Sequence, residues 1–201
     1  MTTMKNTDIR TIRTQKLIMD SFKELLNHKS FEAIRVSDIS NAAEINRATF
    51  YNYYTDKYQL LDTMVEETLL VQIRENSIDQ EEFSPEFIKK IYLILTGFHT
   101  NLATICQKNY IEELALYTSQ VLRDEVAQTI LTAIQATYPK GDDRQLESFA
   151  AIISWSVIGL AYEWKRSKQQ SPEQYFTQFE ENYEKFLLNF VSQNLVKNKN
   201  N

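Results

Sequence analysis

Ser37-Asp38-Ile39-Ser40-Asn41-Ala42-Ala43-Glu44-Ile45-Asn46-Arg47-Ala48-Thr49-Phe50-Tyr51-Asn52-Tyr53-Tyr54-Thr55-Asp56-Lys57-Tyr58-Gln59-Leu60-Leu61 is the stretch on which the fold turns. It holds two short helical patterns, Asp38–Ala43 and Arg47–Tyr53, separated by the three residues Glu44-Ile45-Asn46. Ile39, Ala42, Ala43, Ile45 and Phe50 recur at helical spacing and supply a small apolar core between them. Two short helices joined this tightly make a helix-turn-helix, whose second helix is shaped to lie in a DNA major groove. Ser37 reads as the N-cap of the first helix and Asn46 as the N-cap of the second, because short polar side chains satisfy the free N–H groups there. Asp56, with Gln59 three residues on, has the form of a capping box opening a longer helix to about Asn76.

Around the apolar core stand groups suited to nucleic acid: Arg47, Thr49, Tyr51, Asn52, Tyr53 and Lys57. Hydroxyls and Lys donate to phosphate oxygens, whereas Arg bonds guanine edges in bidentate fashion. The plainer alternatives are that Arg47 is a surface charge and that Tyr51 and Tyr53 lie on a solvated face. Phe50 and Tyr54 fit the core. Charge is distributed accordingly: of 22 Lys and Arg and 27 Asp and Glu, residues 1–60 hold nine and seven, so a head of +2 precedes a body of −7. That asymmetry fits a chain touching phosphate at one end only.

Working outward, Ile18, Phe22, Leu25 and Leu26 form one stripe, which predicts a first helix over 11–27 with His28 as a cap or surface residue. Downstream, Ser84-Pro85-Glu86 is a helix start with Pro at the first position. Ile88, Ile91, Leu95, Phe98, Leu102 and Ile105 follow as one buried seam. A less regular segment over 107–117 precedes a helix ending near Tyr138, and Pro139-Lys140-Gly141-Asp142-Asp143 is the clearest break. Two long helices close the chain, over 143–166 and 172–195. The first has a continuous face of Leu146, Phe149, Ala150, Ile153, Val157, Leu160, Ala161 and Trp164, and a second of Ile152, Trp155, Gly159 and Tyr162. The other is expected to bury Phe176, Phe179, Tyr183, Phe186, Leu187 and Phe190. A helix apolar on two sides needs a cover beyond its own domain, which points to a subunit interface. About nine helices and no sheet are expected.

Composition narrows the function. The 201 residues include 3 Gly, 3 Pro, 2 His and a single Cys. So few turn residues disfavour parallel sheets and barrels. Cys106 alone forms no intrachain disulfide, and with His28 and His99 it makes no Cys-rich zinc site. No phosphate-cradling Gly loop, nucleophile–base pair or metal cluster is visible, so neither catalytic residues nor a cofactor are expected. No stretch approaches the roughly 20 apolar residues of a membrane span, and residues 1–13 are polar. A cytoplasmic protein with no membrane partner is the expectation.

The run from Ile45 to Leu61 resembles the recognition segment of the TetR family, roughly Val-Ser-x-x-Thr-Phe-Tyr-x-His/Tyr-Phe-x-x-Lys-x-x-Leu-Leu, and the likeness extends over about 14–65. The resemblance implies an all-α fold: a three-helix DNA-binding domain over 1–56, and a helical effector-binding and dimerisation domain over 57–201. It implies a homodimer on palindromic operator DNA, joined through the last two helices and released by a small-molecule effector. A DNA reader governed by a protein partner, or by no effector, is the alternative. Position by position, the resemblance makes Arg47 the base reader with Ala48 beside it, and Thr49, Tyr51, Tyr53 and Lys57 phosphate contacts. Ser37 would anchor the backbone, with Asn46 and Asn52 beside the same groove. Glu44 stands where the family usually has Gly, so a non-Gly residue must adopt a left-handed conformation. Tyr92, Thr96, His99, Tyr117, Trp155 and Tyr162 are the candidate effector contacts. Core or interface packing competes with that role, especially for His99 and for Trp155, Tyr162 and Trp164.

Overall fold

The computed structural model describes residues 6–78, 81–105, 112–167 and 170–192. Among the described residues there are nine α-helices and no strand: α1 (Asn6–His28), α2 (Val36–Ala42), α3 (Arg47–Tyr51), α4 (Lys57–Glu75), α5 (Pro85–Ile105), α6 (Glu112–Thr137), α7 (Asp143–Ser167), α8 (Pro172–Thr177) and α9 (Glu180–Phe190). The chain divides into two compact units, Met1–Val65 with Asn101–Leu114, and Glu66–Thr100 with Ala115–Asn201. α4 therefore belongs to the first unit through Val65 and to the second from Glu66.

In the first unit, α1 buries Ile18, Phe22 and Leu26 as its stripe predicts, with Leu25 half-buried and His28 exposed. Phe31, Ile34, Ile39, Ala43, Phe50, Tyr54, Leu60 and Leu61 complete this core. Burying a side chain such as Phe50 stabilises by about 1.5–3 kcal/mol, and that burial holds helices too short to persist alone. α1 begins by Asn6 rather than at residue 11. α2 begins before Ser37, because Arg35 is its N-cap and the Asp38 carboxylate accepts the Arg35 backbone N–H at 3.1 Å. The Arg35 N–H, and after it Lys29, hold Asp38 below the usual carboxylate pKa. Ser37 thus sits inside the first turn of α2 and does not cap it. Ala42, expected in the core, is exposed. α3 ends at Tyr51, two residues early: the backbone N–H groups of Tyr53 and Tyr54 both bond back to Phe50 O, at 3.0 and 3.1 Å, and turn the chain.

In the second unit the α5 seam is buried at Ile88, Ile91, Leu95 and Phe98; Leu102, in the part of α5 that belongs to the first unit, is buried as well. The Phe83 ring meets Phe149 edge-on at 5.7 Å, and Phe149 stacks on Phe190 at 3.8 Å, so α7 and α9 share one aromatic seam. α6 is helical from Glu112, which corrects the irregular segment expected there; 107–111 lie outside the described residues. The helix expected over 172–195 is two helices. The N–H groups of Gln178 and Phe179 bond three residues back, to Tyr175 O and Phe176 O, which tightens the turn and ends α8. On α9 only Leu187 is fully buried; Phe179 and Phe186 are exposed and Tyr183 and Phe190 half-buried, another departure from expectation. On α7, Leu160 and Trp164 lie at the edge of the buried face, while Ser154 and Ile158 fill it. Trp164 sits at that edge because its indole Nε1 donates to Gln170 O at 2.9 Å.

Candidate nucleic-acid interface

The candidate reading helix, α3, is set by its own first residues. Asn46 holds an extended backbone, and its Oδ1 accepts the Thr49 N–H at 2.7 Å and the Thr49 hydroxyl at 3.0 Å. This is the N-cap expected of Asn46, and it engages Thr49 as well. At about 100° per residue, Arg47, Ala48, Tyr51 and Asn52 fall on one side of α3, and all four are exposed. Tyr51 is 56% exposed and rests edge-on against the buried Phe50 ring at 5.6 Å, so the core ring fixes the direction of its phenol. Thr49 and Tyr53 are half-buried on the flanks, as is Ser37 in the first turn of α2.

The turn before α3 contains Glu44 at φ 54, the left-handed conformation anticipated from the missing Gly. The Ile45 N–H bonds back to Ser40 O at 2.9 Å and closes that turn. A non-Gly residue is strained there by about 1–2 kcal/mol. At the start of α4 the Asp56 carboxylate accepts the Tyr58 and Gln59 N–H groups, both at 2.9 Å, as an N-cap should. Gln59 reaches back to the Thr55 N–H at 2.6 Å rather than to that of Asp56, so the box is one residue wider than expected.

Lys57 is placed differently from the other candidates. Its Nζ donates to Phe31 O at 2.9 Å, Ile34 O at 3.1 Å and Glu32 O at 3.2 Å. The same ammonium lies 4.5 Å from the centre of the Phe31 ring and 5.5 Å from that of Tyr58. Nothing in the spacing of the sequence signals this, because the acceptors are carbonyls 23–26 residues earlier in the chain.

The candidate effector contacts differ in burial. Tyr92 is buried against Phe176 and donates its hydroxyl to Pro172 O at 3.1 Å; burial raises its pKa. Thr96 is buried and donates to Leu93 O at 2.8 Å. His99 is 1% exposed, and burial, followed by the positive charge of Lys165, lowers its pKa to about 4. Tyr117 and Tyr162 are half-buried. Trp155 is 50% exposed and shares an outward face of α7 with Ile152 and Gly159. A groove of about 290 Å³ in the second unit is lined by Gln72, Asn76, Ile78, Lys90, Leu93 and Ile94, none of them among the six expected. Among the described residues no cluster of His, Cys, Asp and Glu is arranged to hold a metal ion, and no helix is long and apolar enough to cross a membrane. Cys106 lies outside the described residues.

The profile of the bacterial regulatory proteins of the tetR family matches residues 18–64, which run from the middle of α1 to the first turns of α4. Over residues 18–64 the chain is similar to the N-terminal domain of the TetR family. The dhaKLM operon transcriptional activator DhaS of Lactococcus lactis is 40% identical over 68 residues, covering 34% of this chain and 36% of that protein. The Bacillus subtilis HTH-type regulator YxbF is 32% identical over 104 residues, covering 50% of this chain and 27% of that protein. The chain thus spans about a third or less of the length of these curated relatives. A TetR variant from Acinetobacter baumannii, solved with minocycline, superposes with a TM-score of 0.52 at 14% identity over 88% of this chain and 96% of its own. That similarity is one of fold alone. Both of these relatives are transcriptional regulators by name.

Proposed function

We propose that this protein is a cytoplasmic, homodimeric transcriptional regulator that reads a near-palindromic operator with α3 and is released from it by a small-molecule effector. The observation that carries the reading is the exposed face of Arg47, Ala48, Tyr51 and Asn52 on a capped helix behind a buried Phe50. Arg47 reads a base pair and Ala48 makes an apolar contact beside it, with Asn52 on the same face. Thr49, Tyr51 and Tyr53, with the backbone of Asn46 and the hydroxyl of Ser37, hold phosphate.

Dimerisation through the last helices is supported by an uncovered apolar surface. Ile152 and Trp155 of α7 and Phe186 and Leu188 of α9 are exposed. Gly159 lies on the same side of α7, and a Cβ placed there would meet nothing in its own chain. Because a mid-helix Gly costs about 1 kcal/mol relative to Ala, a close approach by a second copy accounts for it. α7 is acidic in its first turn at Asp143 and basic in its last at Lys165 and Arg166. Antiparallel pairing about a two-fold axis lays these opposite charges together.

The effector is a partly apolar, weakly charged small molecule taken up in the body, where Tyr92, Thr96, His99, Tyr117 and Tyr162 supply rings and polar handles. It shifts the population toward a form that no longer fits the operator. A second reading, control by a protein partner or by no effector, is favoured by the tight packing of Tyr92, Thr96 and His99. The sign of regulation is repression in the first reading; the Lactococcus relative is named an activator, so activation is the competing sign. The test is selection of bound duplexes from random DNA, followed by a reporter carrying the selected site. No enriched duplex defeats the reading. An enriched site that raises reporter output turns repression into activation.

A further inference from the structure

We infer that Lys57 acts inside the DNA-reading unit as a positioning residue: its ammonium locks the link between α1 and α2 onto the start of α4, and it is not a phosphate ligand. An ammonium has three N–H donors and no more. Here three carbonyl oxygens, of Phe31, Glu32 and Ile34, lie within 2.9–3.2 Å of Nζ and account for all three. The rings of Phe31 and Tyr58, themselves edge-on at 5.1 Å, flank the charge. A cation so enclosed is held by cation–π attraction in addition to its hydrogen bonds. Reaching a phosphate would require surrendering part of this set for a bond of the same kind.

The position of the lock gives it consequence. The residue after the last clamped carbonyl is Arg35, the N-cap of α2. α2 packs on α3 within the same unit. Lys57 therefore joins the first residue of α4 to the entry of the helix that supports the reader. The direction of α3 depends on a side chain that touches no nucleic acid.

The inference rests on the DNA-binding reading, and two variants separate it from the phosphate role. Lys57→Met removes the charge; Lys57→Arg keeps it, but a planar guanidinium does not fit three converging carbonyls. Both are titrated with a duplex selected by the wild-type protein, well below the melting midpoint of each variant, over a range of salt. A lock predicts that both variants lose affinity to a similar degree and that the slope of log affinity against log salt stays at the wild-type value. A phosphate contact predicts near-normal binding for Lys57→Arg and, for Lys57→Met, a slope shallower by about 0.9. Lower melting midpoints with unchanged affinity in both variants would reduce Lys57 to a stabiliser and overturn the positioning role.

Amine acetylation of the wild-type protein, read by mass spectrometry, keeps the test open if a variant fails to fold or if no duplex is selected. Locked Lys57 is modified more slowly than the exposed Lys16 in the free protein, and added duplex protects it no further. Modification of Lys57 at the rate of Lys16 overturns the lock whatever the protein binds.

Discussion

Acid should weaken this protein through His99. The side chain is 1% exposed, with the Phe98 ring edge-on at 5.8 Å, and its pKa lies at about 4 against 6.5 for an unburied histidine. Burial is the first cause and the positive charge of Lys165 the second. Below 6.5 the unfolded chain takes up a proton that the folded chain refuses, so stability falls with pH in the window from 6.5 down to about 4. At about 1.36 kcal/mol per pH unit, the full loss is about 3 kcal/mol at pH 4, and about 2 kcal/mol is already lost at pH 5. That is a large part of the 5–15 kcal/mol typical of a domain. The assay is urea unfolding at pH 8 and pH 5, at one protein concentration, for the wild type and for His99→Asn, which cannot titrate. The wild type should lose about 2 kcal/mol more than the variant between the two pH values. An equal loss in both proteins refutes the reasoning, because the acid sensitivity would then lie in other groups.

Other perturbations test the reader and the body. Arg47→Ala should relax preference at one base pair per half-site, costing about 1–3 kcal/mol there, as read by binding to single-base operator variants; an equal loss on every duplex would mean that Arg47 touches only phosphate. Glu44→Gly should raise stability by about 1 kcal/mol in urea unfolding, because Gly adopts φ 54 without a Cβ clash. Asn46→Ala should cost about 1 kcal/mol of stability through the lost cap. Trp155→Asp should leave the fold intact, as judged by far-UV circular dichroism, and give monomers with weakened DNA binding by analytical ultracentrifugation. If the variant stays dimeric at micromolar concentration, the interface is not on α7.

What was legible in the sequence was what neighbouring residues decide among themselves. The Asn46 cap, the Ile18, Phe22 and Leu26 stripe and the α5 seam depend on spacings of one to four residues, and each is found as expected; the left-handed Glu44 is what the family resemblance implied. Where two local signals competed, the reading failed by a residue or two. Ser37 was the better cap by type, yet the Asp38 carboxylate closed the helix on the Arg35 N–H instead. Aromatic positions were less legible still, because helical spacing says that a ring has a side but not what lies on it. Trp155 and Phe186 are as apolar as Phe149 and Phe176, and only the packed structure separates the exposed pair from the buried pair. Lys57 was beyond reach altogether, since its partners are backbone atoms remote in the chain.

The grip of Lys57 on Phe31, Glu32 and Ile34 is made to carbonyl oxygens alone, and every amino acid supplies the same atom. The link between α1 and α2 is therefore indifferent to the identity of its exposed members and sensitive to its length. Glu32 and Ala33, both exposed, have room to change during evolution without disturbing the ammonium. A single insertion or deletion between Lys29 and Arg35 shifts the row of oxygens out of reach and leaves a cation facing apolar rings. Homologous chains that keep a lysine at the head of α4 should accordingly vary this link in composition while preserving its residue count.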